Sequence, residues 1–293
     1  MTFPDQEWEL AKWRNADWNS DAHYLAPYRS KSNPIIIGAC PRSGSTLLRM
    51  LLGNHPDLID GPETHLFLPL PIDTVRLENR FQMPPDSLKK LKDRVSSKGA
   101  FIEGFQNLLL ARSERSRWVE KTSRNVHVFE WILERFPSAI LLHIIRDPRD
   151  VVVSLRSHPK YKRGQRKRIP TNWLHPWEEC IDRWKRSVGE GISFRGRTQY
   201  MEVKYEALIT ETESILRRIC NFAGIPFDSS MLSVEKRRNK VVGNQRSFVI
   251  NNIEAGKSIT QNRIGRWREE LPLDILEKLE YELKSLMIMT GYI

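Results

Sequence analysis

The segment Ile35-Ile36-Ile37-Gly38-Ala39-Cys40-Pro41-Arg42-Ser43-Gly44-Ser45-Thr46-Leu47-Leu48 constrains this chain more than any other. Three consecutive β-branched residues suit a strand buried on both faces, as in a parallel sheet. Gly38 to Gly44 is turn chemistry, and Thr46 to Leu52 reads as a helix stopped by Asn54-His55-Pro56. A helix that opens straight after such a turn presents unpaired N–H groups and the positive end of its dipole. Gly44 lets the backbone approach an oxyanion. Ser43, Ser45 and Thr46 add hydroxyl donors, and Arg42 adds a fixed cationic fork. A serine-capped helix after a strand explains Ser45 or Thr46, but not Pro41-Arg42 ahead of the glycine, so the segment predicts phosphate binding. It is not a Walker A loop. Five residues separate Gly38 from Gly44, and Ser45 stands where the lysine is needed. That disfavours a P-loop nucleotide kinase, whose γ-phosphate would lack its usual partner.

The rest of the chain reads as alternating strands and helices. Ala139 to Ile145 is a second strong strand, ending in the charged turn Arg146-Asp147-Pro148-Arg149-Asp150, with a helix expected from Arg149. Tyr200 to Val203 is a third, and Trp118-Val119-Glu120 a short strand end. Helices are expected over 86–112, over Val126–Phe136 before Pro137, and from about 211, where Ile215, Leu216, Ile219 and Phe222 share a face before Gly224 and Pro226. The last helix opens at Pro272 and Asp274, carries Leu276, Leu279, Leu283 and Leu286 on one side, and ends before Gly291. This alternation predicts an α/β fold: a parallel sheet with helices on both faces. Residues 1–33 read as an N-terminal helical arm, and 34–293 as one α/β domain carrying a basic insertion at 158–172.

With 293 residues the chain can bury a sizeable core. Lys plus Arg is 47 against 36 Asp plus Glu, a net +11, and such a surface attracts anions. No apolar run approaches the roughly 18 residues of a membrane helix, and the acidic, polar MTFPDQEWEL is unlike a secretory signal. Cys40, Cys180 and Cys220 form neither a disulfide framework nor a metal spacing, which points to a reducing, cytoplasmic setting.

Pro-Arg-Ser-Gly-Ser-Thr-Leu-Leu after a buried strand resembles the 5′-phosphosulfate loop of the sulfotransferases that use PAPS (3′-phosphoadenosine 5′-phosphosulfate). Its arginine form is similar to the branch holding tyrosylprotein and many bacterial sulfotransferases. The resemblance runs over roughly residues 34–291 and implies a P-loop-NTPase-like sheet. Arg146 lies at the carboxyl edge of the sheet, where open α/β folds bind ligands, and Ser154 lies two helical turns on. In the family an arginine and a serine at this spacing of eight hold the 3′-phosphate. Val203-Lys204-Tyr205 resembles the segment whose tyrosine lies near the adenosine. Arg263-Ile264-Gly265-Arg266-Trp267 resembles the late segment that closes over the cofactor, with Arg266 as its basic residue and Lys257 and Arg263 as weaker candidates. The implied cofactor contacts are therefore Arg42, Ser43, Gly44, Ser45, Thr46, Arg146, Ser154, Tyr205 and Arg266, with PAP (adenosine 3′,5′-bisphosphate) as product.

Sulfuryl transfer needs an activated acceptor oxygen and positive charge on the moving group, as phosphoryl transfer does. The resemblance places the general base at Glu63, 21 residues after Arg42 in Gly61-Pro62-Glu63-Thr64. His65 is the rival base. Lys121, in Glu120-Lys121-Thr122, matches the catalytic lysine, and Arg42 shares its role. No metal is expected, because arginine and lysine supply the charge. The branch's late-loop serine has two counterparts, Asn251 by counting and Ser258 nearby. Its third 3′-phosphate contact falls at His158, with Arg156 as substitute. His65 replaces an arginine that touches the peptide acceptor, which weakens tyrosylprotein transfer as the reaction here.

Lys160 to Arg168 packs six basic residues into nine. It reads as a solvated loop, or as a gate over an anionic acceptor such as a glycan or acidic lipid headgroup. With Lys236-Arg237-Arg238 it also supports the non-enzymatic alternative, a basic nucleic-acid-binding protein. That alternative ignores both phosphate-binding segments, so a hydroxyl-bearing acceptor is the expected partner. The sequence leaves the acceptor's identity and the oligomeric state open.

Overall fold

The structure is a computed structural model that describes residues 26–157, 174–232 and 263–293. The basic insertion, Lys160 to Arg168, His158, Lys236-Arg237-Arg238, Asn251, Lys257 and Ser258 lie outside the described residues, as does 1–25 of the expected arm. Its remaining part, 26–33, carries no helix. Tyr28 lies against Gly99, where a Cβ would come within 2.5 Å of its ring, and Ser30 N–H donates to the Arg135 carbonyl at 2.7 Å. This stretch is bonded to the body of the domain in place of its own turns.

The chain runs β1 (Ile35–Ala39), α1 (Ser45–Gly53), β2 (Leu58–Asp60), α2 (Thr74–Phe81), α3 (Ser87–Arg94), α4 (Lys98–Leu110) and β3 (Arg117–Lys121). A 3-10 turn at Ser123–Val128 leads into α5 (Phe129–Arg135), then β4 (Ile140–Ile145), α6 (Pro148–Arg156), α7 (Trp177–Ile192), β5 (Tyr200–Lys204), α8 (Tyr205–Thr210) and α9 (Thr212–Ala223). A second 3-10 turn spans Ser229–Leu232, and α10 (Trp267–Glu270) and α11 (Leu273–Thr290) follow. The five strands are parallel in the order β2-β3-β1-β4-β5.

The isoleucine run lies at the centre of this sheet. Ile35 and Ile37 pack with Leu48, Leu51, Val119, Leu142, Val203 and Leu216 on one face. Ile36 faces the other side, among Phe67, Phe105, Trp118, Phe129 and Leu141. Alternate side chains of one strand thus serve two cores, and helices cover both faces as expected. A third cluster joins α6, α7 and α11 around Val152, Trp184 and Leu283.

Three elements differ from expectation. The helix expected over 86–112 is two, because Val95 is extended and Ser97 starts a new helix by accepting from Ala100 N–H at 3.1 Å. The helix expected over Val126–Phe136 enters through the 3-10 turn. The buried seam of α11 is Leu279, Leu283 and Met287, with Leu276 and Leu286 half-buried at its flank.

Strand order sets the site. From β1 the chain moves outward to β2 and returns to β3 beside β1, then crosses to β4 on the other side. Ligands of open parallel sheets bind beyond the carboxyl ends of the strands at such a reversal. Gly44, Glu63, Lys121 and Arg146 all follow or end those strands.

Candidate active site

The turn after β1 uses left-handed backbone twice, at Arg42 (φ 75°) and Gly44 (φ 92°). Gly44 has a second reason to lack a side chain: a Cβ there would lie 2.3 Å from the Tyr205 ring. Ahead of α1, Gly44 provides no side-chain cap, so the first-turn N–H groups are not satisfied by one. Ser43 is fully buried, and its hydroxyl has no hydrogen-bond partner among the described residues. Ser45 Oγ lies 3.0 Å from Ser123 Oγ, and Thr46 is half-buried in the first turn.

Arg146 follows β4 and is buried. One Nη donates to the Arg42 carbonyl at 3.2 Å, the other to the Arg263 carbonyl, and its guanidinium lies 4.5 Å over the Tyr205 ring. Asp150, one turn into α6, pairs with Arg146 at 3.4 Å and accepts from Gly265 N–H at 2.8 Å and Trp267 N–H at 3.1 Å. That latch draws the 263–267 segment onto the same edge. Ser154 Oγ accepts from Arg42 Nε at 3.0 Å. Arg42 and Ser154, expected at opposite ends of the nucleotide, are therefore hydrogen-bonded to each other. Burial and the cations Arg263, Arg146 and Arg266 lower the pKa of the Arg42 guanidinium. Arg266 itself is half-exposed and forks onto Glu270 at 2.8 and 3.0 Å.

The second half of the site lies beyond β2 and β3. Register pairs Lys121 with Ile37, so the lysine ends its strand level with the entry to the phosphate turn. Lys121 Nζ donates to Glu63 Oε1 at 2.5 Å. His65 Nε2 stands 3.8 Å from Glu63 Oε2. Burial pushes the Glu63 carboxyl up, but Lys121, His65 and Arg80 outweigh it and hold the group below the usual carboxylate range. Burial lowers the Lys121 ammonium, with Glu63 opposing and Arg49 assisting. Burial also drives the His65 imidazole down to about 4, with Arg124, Arg76 and Arg80 adding to the effect, so it is neutral at pH 7.

Four tethers fix the loop that carries Glu63. Arg49, within α1, donates to the Gly61 carbonyl at 2.7 Å and pairs with Asp60 at 2.9 Å. Arg80 donates to the Glu63 carbonyl at 3.0 Å. Glu120 accepts from the amide and hydroxyl of Thr64, and Thr122 Oγ1 accepts from His65 N–H at 3.2 Å. Sequence reasoning missed Arg49, Asp60, Arg80, Glu120 and Asp150. The available signal was at Glu120, a carboxylate within a strand buried on both faces.

The residues fit a doubly anionic nucleotide in three respects. The turn holds an orphaned buried hydroxyl at Ser43, a close approach forbids a side chain at Gly44, and the guanidiniums of Arg42, Arg146, Arg263 and Arg266 converge. Fold and site together define an α/β protein of P-loop-NTPase-like architecture, with a cationic turn at the carboxyl edge of its sheet. The narrower assignment comes from comparison: the sulfotransferase family model matches residues 34–229, and the chain belongs to that family.

A protein-tyrosine sulfotransferase of Drosophila melanogaster is 24% identical over 281 residues, spanning 93% of this chain. The match covers 54% of that protein, so this chain spans about half its length. The sulfotransferase domain from the Synechococcus PCC 7002 olefin synthase superposes with a TM-score of 0.59 at 24% identity, over 88% of this chain and 97% of that one. A mouse sulfotransferase complexed with PAP gives 0.53 at 13% identity, over 92% and 90%. Both have this chain's fold. Among the described residues no helix is long and apolar enough to cross a membrane.

Proposed function

We propose that this chain transfers the sulfuryl group of PAPS to a hydroxyl acceptor by in-line displacement, with Glu63 as general base. The observation that carries this reading is the Lys121–Glu63 contact of 2.5 Å beside the phosphate turn. When bound, PAPS supplies an activated sulfuryl group. Arg42, Ser43, Gly44, Ser45 and Thr46 hold its 5′ end, and Arg146 and Ser154 its 3′-phosphate. Tyr205 lies along the adenosine, and Arg266 closes from the late segment. Glu63 takes the acceptor's proton, while Lys121 and Arg42 offset charge on the transferring oxygens.

The lysine couples the two tasks. Paired with Lys121, Glu63 is a weak base. Drawing Lys121 toward the sulfuryl oxygens removes the cation that holds the carboxylate down, so its basicity rises when the proton must leave. His65, already neutral, is the alternative base. Arg76, Arg80 and Arg124 surround His65 closely enough to depress it, which favours an acceptor carrying negative charge. The free, buried thiols of Cys40, Cys180 and Cys220 favour a cytoplasmic setting.

The test is a panel of hydroxyl acceptors (glycans, lipids, phenols and a tyrosine peptide) with sulfur-labelled PAPS. Label is expected on one class, without magnesium, and not with Glu63→Gln. Magnesium-dependent ATP turnover would favour the kinase alternative. Salt-sensitive DNA retention with no PAP binding would favour the nucleic-acid one.

A further inference from the structure

The proposed chemistry makes no use of one buried ionisable group beside it. Glu120 is 1% exposed, in the last turn of the pleat before Lys121. Its Oε1 accepts from Thr64 N–H at 3.2 Å, Thr64 Oγ1 at 2.8 Å and Thr122 Oγ1 at 2.7 Å, and its Oε2 accepts from Asn125 Nδ2. A carboxylate offers about four acceptor sites, and four donors reach this one, three at Oε1 and one at Oε2. Taking such a group out of water is unfavourable unless hydrogen bonds replace the lost ones. Here they come from both sides of the site. Two belong to Thr64, immediately after Glu63 and 56 positions away from Glu120 in the chain. The others come from the turn that follows Lys121.

The network also runs on. Thr64 Oγ1 accepts from Leu66 N–H at 3.1 Å, and Thr122 Oγ1 accepts from His65 N–H at 3.2 Å. The loop bearing Glu63 has no ladder or helix of its own between Gly61 and His65, and His65 sits at φ 59°. Its geometry is thus set by side chains. An apolar residue at 120 would pack as its neighbour Val119 does, but could accept none of these bonds.

We infer that Glu120 is a positioning residue that locks the loop bearing Glu63 against the strand bearing Lys121. It touches neither donor nor acceptor. The inference rests on the reading of Glu63 as the base, because only then does the lock bear on the rate.

The experiment uses the full chain and four variants: Glu63→Gln, Glu120→Gln, Thr64→Val and Thr64→Ser. Each is assayed for PAP affinity, for transfer of the labelled sulfuryl group of PAPS to water (as sulfate) and to phenol (as phenyl sulfate), each with PAP as the leaving group, and for hydrogen exchange across 61–66. Thr64→Val keeps the side-chain shape, so it carries the test if Glu120→Gln does not fold. Expected for Thr64→Val and Glu120→Gln is a fall in kcat of about a hundredfold, the usual effect of misplacing a reacting group by about 1 Å. Their PAP affinity should stay within about twofold, exchange across 61–66 should rise, and Thr64→Ser should recover most of the rate.

A folded Glu120→Gln and Thr64→Val with near-normal kcat, beside an inactive Glu63→Gln, would overturn the positioning role and leave the base intact. PAP affinity falling as far as kcat would also overturn it, by showing general damage. An active Glu63→Gln would remove the base itself, and this inference with it.

Discussion

Lys121 and Glu63, 58 positions apart in the chain, meet at 2.5 Å between Nζ and Oε1. The contact makes the two residues separable by experiment. Glu63→Gln should leave PAP affinity within about twofold and reduce transfer by about 10²- to 10⁴-fold, the usual worth of a general base. Lys121→Met removes the cation that holds the carboxyl down, so Glu63 should titrate at a higher pH in that variant. In the free wild-type chain the Glu63 carboxyl is held below the usual carboxylate range, and the acidic limb of the kcat/KM profile should lie there. With Lys121→Met the limb should move upward. A profile unchanged by that substitution would assign the limb to another group.

The orphaned hydroxyl of Ser43 predicts a split between stability and binding. With no partner to lose among the described residues, Ser43→Ala should leave the ligand-free chain unchanged or more stable by about 1 kcal/mol. The same variant should weaken PAP binding by about tenfold. Thermal melts with and without PAP read both at once.

Arg42 and Arg146 predict a melting shift that needs no metal. PAP at about a hundredfold excess over its Kd should add about 2.7 kcal/mol, which is several degrees in Tm. Arg42→Ala or Arg146→Ala should abolish the shift. An unshifted melt at millimolar PAP would count against the nucleotide site itself.

Two histidines predict acid sensitivity. Burial pushes His65 down to about 4 and His143, whose Nδ1 lies 2.7 Å from Tyr200 Oη, down to about 3. Between these values and 6.5 the unfolded chain binds more protons than the folded one. Stability therefore rises with pH across that window, is fully present above it, and is lost as pH falls. Each histidine adds about 1.4 kcal/mol per pH unit to the slope. Denaturant melts from pH 4 to 7 should show a shallower slope for His65→Gln.

Asp150 predicts an effect at a distance. Asp150→Asn turns one acceptor oxygen into a donor facing Gly265 N–H or Trp267 N–H. The 263–267 segment should loosen, and PAP affinity should fall by about tenfold. Calorimetric titration measures it. Affinity equal to wild type would show that this segment takes no part in binding.

What the sequence discloses here follows physical lines. The isoleucine run and the small-residue turn state their geometry locally, so β1, the turn and α1 are legible to within two residues. So is β4, with Arg146 at its end. Strand β2 has three residues, too few for any periodicity to register. Helix α7 escapes because its buried face includes Ser187 and Gly191 among apolar residues. Gly191 is there to admit the His143 ring, 2.1 Å from where its Cβ would stand. Glu63 and Lys121 are reached through family resemblance, since nothing near either announces the other. At Glu120 the sequence offers only a carboxylate within a buried strand, and not its donors at Thr64, which come from across the fold.

Helix α1 carries the phosphate turn at its start, and through Arg49 grips the carbonyl of Gly61, two residues before the base. One rod therefore gauges the gap between the phosphate turn and the loop bearing Glu63, as the bar of a caliper keeps its jaws at a set width. Under the proposed chemistry the acceptor's hydroxyl would then enter between two ends held by one helix.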